Sequence, residues 1–284
     1  MKDTGVDEIL IDHLPGETRL ALVSQGRLAA LQILRPSQAS IVGAVYRGRV
    51  GAVRRDQGAA YVDIGAAKAG FLSLRRGAKP PVEGAAIVVQ AVKDAVDDKG
   101  PGLNDRPLIH GRFLTLRLGQ KGIERSRRLD PQVFARCENA LKEFAPGRDG
   151  FLVNPAAAEA GDAALTAEAR QLLEGWSEAS KRQGVPALLL PPPDPLLRAV
   201  LDHTATLKSV AGDDAGIVSR LIAGLKVLAP DLARLPKLHP GPAPLFRRHE
   251  VEAQIGEALG RRVRLPGGGW PVSAASSSMT SWRR

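Results

Sequence analysis

Apolar and polar residues alternate in short runs along the first third of the chain. Glu8–Asp12, Thr18–Val23 and Leu28–Leu34 are separated by Leu14-Pro15-Gly16-Glu17 and Ser24-Gln25-Gly26-Arg27. Pro-Gly and Gln-Gly are turn chemistry, so the pattern predicts a three-stranded antiparallel meander. Three such strands are not stable alone and must pack against a later part of the chain. From Ser40 to Pro107 the runs stay short and Gly is frequent. In Val45–Val50, Arg47 and Arg49 share a face, while Tyr61 and Asp63 lie opposite Ala60, Val62 and Ile64. Phe71–Leu74 and Ala85–Val92 continue the set. About five short strands in about 65 residues predict a small closed barrel, because closure removes exposed sheet edges.

The period then changes. After a basic, strand-like start at Leu108, Asp130-Pro131 reads as a helix N-cap followed by Pro at the first helical position. Val133, Cys137, Leu141 and Phe144 recur at helical spacing. Thr166 is expected to cap a second helix with the stripe Ala169, Leu172, Leu173 and Trp176, stopped by Gly184. Beyond Pro191-Pro192-Pro193 the pattern predicts a helix from Asp194-Pro195, a strand-like run at Ala205–Val210 and a helix carrying Ile217, Leu221, Leu225 and Leu228. A Pro-rich loop, Pro236–Pro244, leads to a last helix with Val251, Ile255 and Leu259. The opening meander and these late α-β-α units can complete one mixed sheet, which makes the barrel and the middle segment insertions into it.

Charge changes this picture from architecture to partner. The 284 residues carry 40 Lys+Arg against 30 Asp+Glu, a net charge of +10. A basic chain favours polyanions, although composition alone equally suits mere solubility. The distribution separates the two. Between Ser40 and Pro80 stand Arg47, Arg49, Arg54, Arg55, Lys68, Arg75, Arg76 and Lys79 against only Asp56 and Asp63. Between Arg106 and Arg128 stand Arg106, Arg112, Arg117, Lys121, Arg125, Arg127 and Arg128 against Glu124 alone. A localised basic patch on a barrel, with Tyr61 and Phe71 available to stack bases, is the chemistry of single-stranded nucleic-acid binding.

Other candidates read as structural. The five histidines lie far apart without ligand spacing, and Cys137, the one cysteine, falls on the apolar stripe of its helix. One cysteine excludes an intrachain disulfide, no apolar run reaches membrane length, and the start shows no signal region, so a cytoplasmic protein is expected. Pro266–Gly269 lacks the Lys-Ser/Thr of a phosphate loop. Asp213 and Asp214 sit at a helix start, where capping accounts for both. No strand carries two acids on one face, so neither catalytic nor metal-binding residues are expected.

Taken in order, several segments resemble one family. Val45-Tyr46-Arg47-Gly48-Arg49-Val50, Ala60-Tyr61-Val62-Asp63-Ile64-Gly65 and Gly70-Phe71-Leu72 resemble the RNA-binding barrel of the ribonuclease E/G family, an OB-fold. Val88–Val92 with Lys99-Gly100-Pro101-Gly102-Leu103, Gly111-Arg112-Phe113-Leu114, Gly122-Ile123, Pro244-Leu245-Phe246, Val251–Ile255 and Val263–Gly269 follow in the family's order. The likeness runs from about Ile9 to Trp270. It implies a mixed α/β (α+β) fold in which an RNase H-like domain (1–39 and 187–265) is interrupted by an OB-fold barrel (40–107) and a small 5′-sensor-like α/β segment (108–186). It implies single-stranded RNA as partner, with Tyr61, Phe71, Arg47, Arg49, Lys68, Arg112 and Arg125 as its contacts, and Mg²⁺ as the family's cofactor.

The departures qualify the expectation. Asn154-Pro155 stands where the family's Arg-Thr phosphate sensor is expected, and Ile123-Glu124-Arg125 replaces Ile-Ser-Arg. After Trp270 the family's catalytic strand gives way to a Ser/Ala tail, 266–284, expected to be disordered and to mark a frameshift. The family's metal ligands, its zinc link and its oligomerisation segment are not recognised, so no cofactor bound by this chain and a monomer are expected. The reading adopted is an RNA-binding, catalytically silent relative of the ribonucleases. The alternatives are an active endoribonuclease whose catalytic part is lost from this reading frame, and a decayed product without a role.

Overall fold

The computed structural model describes residues 5–75, 77–144, 147–239, 241 and 243–259. The tail from 266 onward, with its expected loop, disorder and frame change, lies outside them. The chain divides into unit 1, Met1–Ala39 with Pro195–Arg284, and unit 2, Ser40–Asp194. It is a mixed α/β protein with an inserted OB-like barrel.

Unit 1 begins with the expected meander, β1 (Glu8–Leu14), β2 (Glu17–Ser24) and β3 (Arg27–Leu34). Gly16 and Gly26 hold the two turns at φ +84° and +73°, a backbone that a side chain would strain.

Unit 2 opens with β4 (Val45–Arg54), β5 (Ala59–Asp63), β6 (Gly70–Ser73), β7 (Ala86–Lys93) and β8 (Gly102–Asn104). β4 pairs with β5 and with β7, β6 pairs in parallel with β8, and β8 pairs with β7, so five strands close on themselves. Ala60, Val62, Leu72, Val89, Ala91 and Leu103 fill the interior. The fifth strand falls where the sequence placed the exit from the barrel. Next come β9 (Leu108–His110), β10 (Leu114–Arg117), β11 (Gly122–Arg125), α1 (Pro131–Leu141), β12 (Gly150–Val153) and α2 (Asp162–Ser180). The four strands form one sheet whose Leu114, Leu116, Phe151 and Val153 pack on Cys137, Leu141, Leu165 and Ala169 of the helices. Asp130 caps α1 as expected, accepting from the Gln132 and Val133 amides. Thr166 does not cap α2: the helix starts four residues earlier, after Gly161, and the Thr166 hydroxyl donates to the Ala163 carbonyl. β13 (Ala187–Leu190) pairs with β4, so unit 2 runs past the boundary at residue 186 to Asp194.

The chain returns to unit 1 as α3 (Pro195–Asp202), β14 (Ser209–Gly212), α4 (Ala215–Leu228), β15 (Pro236–Leu238), α5 (Leu245–Arg248) and α6 (Val251–Leu259). The strand predicted from Ala205 begins only at Ser209, because residues 203–206 turn and Thr206 donates to the Val6 carbonyl at 2.6 Å. β14 and β15 add in parallel to β1, giving the order β15-β14-β1-β2-β3. β1 is apolar on both faces because both are covered. Ile9 and Ile11 meet Val200, Leu221 and Leu225, whereas Leu10 meets Leu245, Phe246 and Val251. No helix among the described residues is long and apolar enough to cross a membrane.

Candidate nucleic-acid interface

The barrel's inward alternation fixes what points outward. Ala60 and Val62 enter the core, so Tyr61 faces out, and Leu72 likewise turns Phe71 outward. Tyr61 and Phe71 are direct cross-strand partners, edge to face, with centroids 6.0 Å apart and planes at 79°. Phe71 is 42% exposed, so one side of its ring is open for a base to stack on. On its far side Phe71 pairs with Gly102, and Gly102 pairs with Lys93. A Cβ on Gly102 would lie 3.2 Å from the Lys93 Cβ, so the lysine stem runs over the glycine on the same outer surface. Lys93 is exposed and has no ion-pair partner among the described residues. The row Tyr61, Phe71, Gly102, Lys93 thus offers two ring surfaces and a free ammonium whose stem crosses the glycine.

The predicted cations are placed differently. Arg47 donates to the carbonyls of Ser180, at 2.6 Å, and Arg182, holding the last turn of α2. Exposed Arg49 donates to the Gly84 carbonyl at 3.1 Å and stands opposite Asp63 in the β4–β5 ladder. Lys68 contacts the Asp97 carbonyl at 2.8 Å and the Asp98 carboxylate at 3.2 Å. Arg112 stacks on Phe113, its guanidinium carbon 4.7 Å from the ring centroid. Arg125 donates to the Leu129 carbonyl. Lys93 escaped the sequence reading because only the pairing of β8 between β6 and β7 brings it beside Phe71.

In the middle segment, Asn154 bridges the start of β10: it accepts from Thr115 at 3.1 Å and donates to the Arg112 carbonyl at 3.2 Å. Glu168 of α2 accepts the Phe113 amide at 2.8 Å and the Arg112 amide, and a Cβ on Gly111 would collide with its carboxylate. Burial pushes the Glu168 carboxyl above the ordinary glutamate range, against the opposing pull of these amides and of Arg112. Glu124, which departs from the family pattern, pairs with Arg117 at 2.7 Å.

Unit 1 brings together two acids from distant parts of the chain, and β1 itself carries Glu8 and Asp12 on one face, where no strand was expected to carry two. Asp12 ends the buried part of β1, and Asp213 follows β14 beside it, accepting the His13 amide at 2.8 Å. Burial, with the Asp12 carboxylate nearby, holds the Asp213 carboxyl above its usual range. Capping therefore accounts only for Asp214, which accepts the Ile217 amide at 2.7 Å. A divalent cation needs several free oxygen ligands. This pair does not fit one, since one Asp12 oxygen is held by two Arg19 nitrogens at 2.5 and 2.8 Å. Among the described residues no group of three or more His, Cys, Asp or Glu could hold a metal ion.

The sequence model of the Ribonuclease E/G family matches residues 108–281, running past Trp270, where the likeness was expected to break. The chain is 27% identical to ribonuclease G of Escherichia coli K12 over 301 aligned residues, covering 96% of this chain and 61% of the relative. Ribonuclease G of Haemophilus influenzae is 28% identical, with 96% and 61% covered. Ribonuclease E of Haemophilus influenzae is 29% identical, with 93% of this chain and 31% of the relative covered. The chain thus spans less than two thirds of the length of these relatives.

Proposed function

The chain belongs to the ribonuclease E/G family, and from that premise we propose that it binds single-stranded RNA across the outer face of its barrel. The exposed Tyr61–Phe71 pair beside unpaired Lys93 carries this reading. Bases stack on the two rings at about 1–3 kcal/mol each, and a neighbouring phosphate meets the ammonium. Gly102 has no side chain and so leaves room for the Lys93 stem to cross it beside the ring. A titration of the full chain with labelled single-stranded RNA tests it. Micromolar or tighter binding that weakens steeply with salt is expected. Equal, salt-insensitive affinity for the wild type and a Tyr61→Ala/Phe71→Ala variant would overturn it.

For this chain we further propose binding without cleavage. Metal-assisted hydrolysis of a phosphodiester draws on two or more carboxylates at one cation, and of the pair Asp12 and Asp213 the first is neutralised by Arg19. The names of the relatives favour a second reading, an active endoribonuclease. Incubating purified protein with a labelled oligoribonucleotide and Mg²⁺ separates the two, because cutting that tracks the protein through purification establishes the second.

A further inference from the structure

A cleft of about 500 Å³ opens beside the end of β4, lined by none of the aromatic-row residues. Its origin is a break in the ladder: β4 shifts register against β5 between Val50 and Val53. The Val53 amide is taken instead by the Glu83 carboxylate at 2.7 Å. The loop carrying Glu83 is pinned to β4 by Gly84 N–H to the Val50 carbonyl at 2.7 Å and Val50 N–H to the Ala85 carbonyl at 2.9 Å. The cleft is therefore a built feature of the barrel, with its one acid turned onto backbone. Pro81 and Val82 form an apolar wall, and Val82 is 67% exposed. Arg55 and Lys79 stand at the rim, exposed and without an ion-pair partner among the described residues.

An apolar wall under two free cations matches one unit of a nucleic-acid strand, a base against the wall and its phosphate on the rim. The position matches too. Val53, at the edge of the cleft, pairs with Ala60, whose neighbour in β5 is Tyr61, so the cleft borders the strand next to the one that carries the first ring. We propose that this cleft is a second nucleotide subsite, taking the next part of a single-stranded RNA that crosses the barrel from Lys93 over Phe71 and Tyr61. The proposal rests on the RNA-binding reading above and adds a site to it.

Fluorescence anisotropy of the full chain with labelled oligoribonucleotides of about four and about twelve nucleotides tests it, these being near the limits of what one such barrel covers. Arg55→Ala/Lys79→Ala is expected to weaken the longer oligomer about tenfold and to lower its log–log salt slope by about 1.4, for two lost phosphate contacts. Affinity for the short oligomer and the melting temperature should not change, and Arg55→Lys alone should bind like the wild type. If the double variant binds the longer RNA like the wild type while Tyr61→Ala/Phe71→Ala binds weakly, the cleft is no subsite and the RNA-binding reading stands. An equal loss for both lengths points to general charge attraction and also overturns the subsite. If the folded wild type binds neither RNA at low salt, the RNA-binding reading itself fails.

Discussion

Arg19 grips Asp12 from directly across the β1–β2 ladder, with Nε at 2.8 Å and Nη2 at 2.5 Å from one carboxylate oxygen. The same guanidinium stacks on Phe246 of α5, 4.6 Å from the ring centroid, and reaches Glu252 of α6 at 3.3 Å. One side chain thus neutralises a buried acid and ties two helices to the sheet. Arg19→Met leaves the Asp12 carboxylate uncompensated, and removing one partner of a buried pair costs about 3–5 kcal/mol. Denaturant unfolding should register that loss, and adding Asp12→Asn should recover most of it. A loss that persists in full in the double variant would show that Arg19 acts through packing alone.

The aromatic row separates binding from stability. Phe71→Ala should weaken single-stranded RNA binding by about 1–3 kcal/mol with little change in melting temperature, because the ring is largely outside the core. Half-buried Tyr61 should lose both affinity and some stability on change to Ala. Tyr61→Phe should keep both. A Phe71→Ala protein that melts early and binds normally would assign the ring to the fold.

Lys93 and Arg47 make opposite predictions despite equal charge. Lys93→Ala should lower the salt slope of RNA binding by about 0.7, one phosphate contact on a single strand, at unchanged stability. Arg47→Ala should cost about 1–3 kcal/mol of stability by removing two charge-assisted hydrogen bonds, to the Ser180 and Arg182 carbonyls at and just past the end of α2, with a smaller effect on binding. Reversal of this order would return Arg47 to the interface.

How much of this was legible in the sequence depended on how local the cause was. The meander, the Asp130 cap and most of the stripes of α1, α4 and α6 are written in neighbouring residues and appear, although Leu228 and Leu259 at the ends of α4 and α6 are exposed and Phe144 lies past the end of α1. Thr166 misled because a hydroxyl inside a helix can turn back on its own carbonyls, leaving the start to be set by Gly161 and the alanines after it. Tyr61 and Phe71 were visible as scarce aromatics on short strands. Lys93, the cleft at Val53 and the Asp12–Asp213 pair were not, because each is made by register between distant strands. Charge runs marked a basic region, but half-exposed arginines such as Arg47 find carbonyls of their own chain, which no count of charges reveals.

Glu168 gives a pH dependence with a definite sign. Its carboxyl is held above the ordinary glutamate value by burial. As pH rises from that ordinary value through the raised one, the unfolded chain gives up its proton first, so the folded state loses stability. Acidification restores it. On going from about pH 7 to about pH 4, the wild type should gain melting temperature relative to Glu168→Gln, which cannot titrate there. A difference that stays constant across this range would place the group at its ordinary value.

The parallel pairing of β1 with β14 sets an order of events during synthesis. Glu8 and Ser209, partners in that ladder, are 201 residues apart. At about 5–20 residues per second, the ribosome needs about 10–40 s to supply the second after the first. Throughout that interval the two-sided apolar strand β1 has only its own meander for cover. Unit 2, by contrast, draws every strand partner from one uninterrupted stretch, Ser40–Asp194, and can close before its host does. The inserted barrel can thus be the older structure in the life of each molecule, with the unit that surrounds it in sequence completed last.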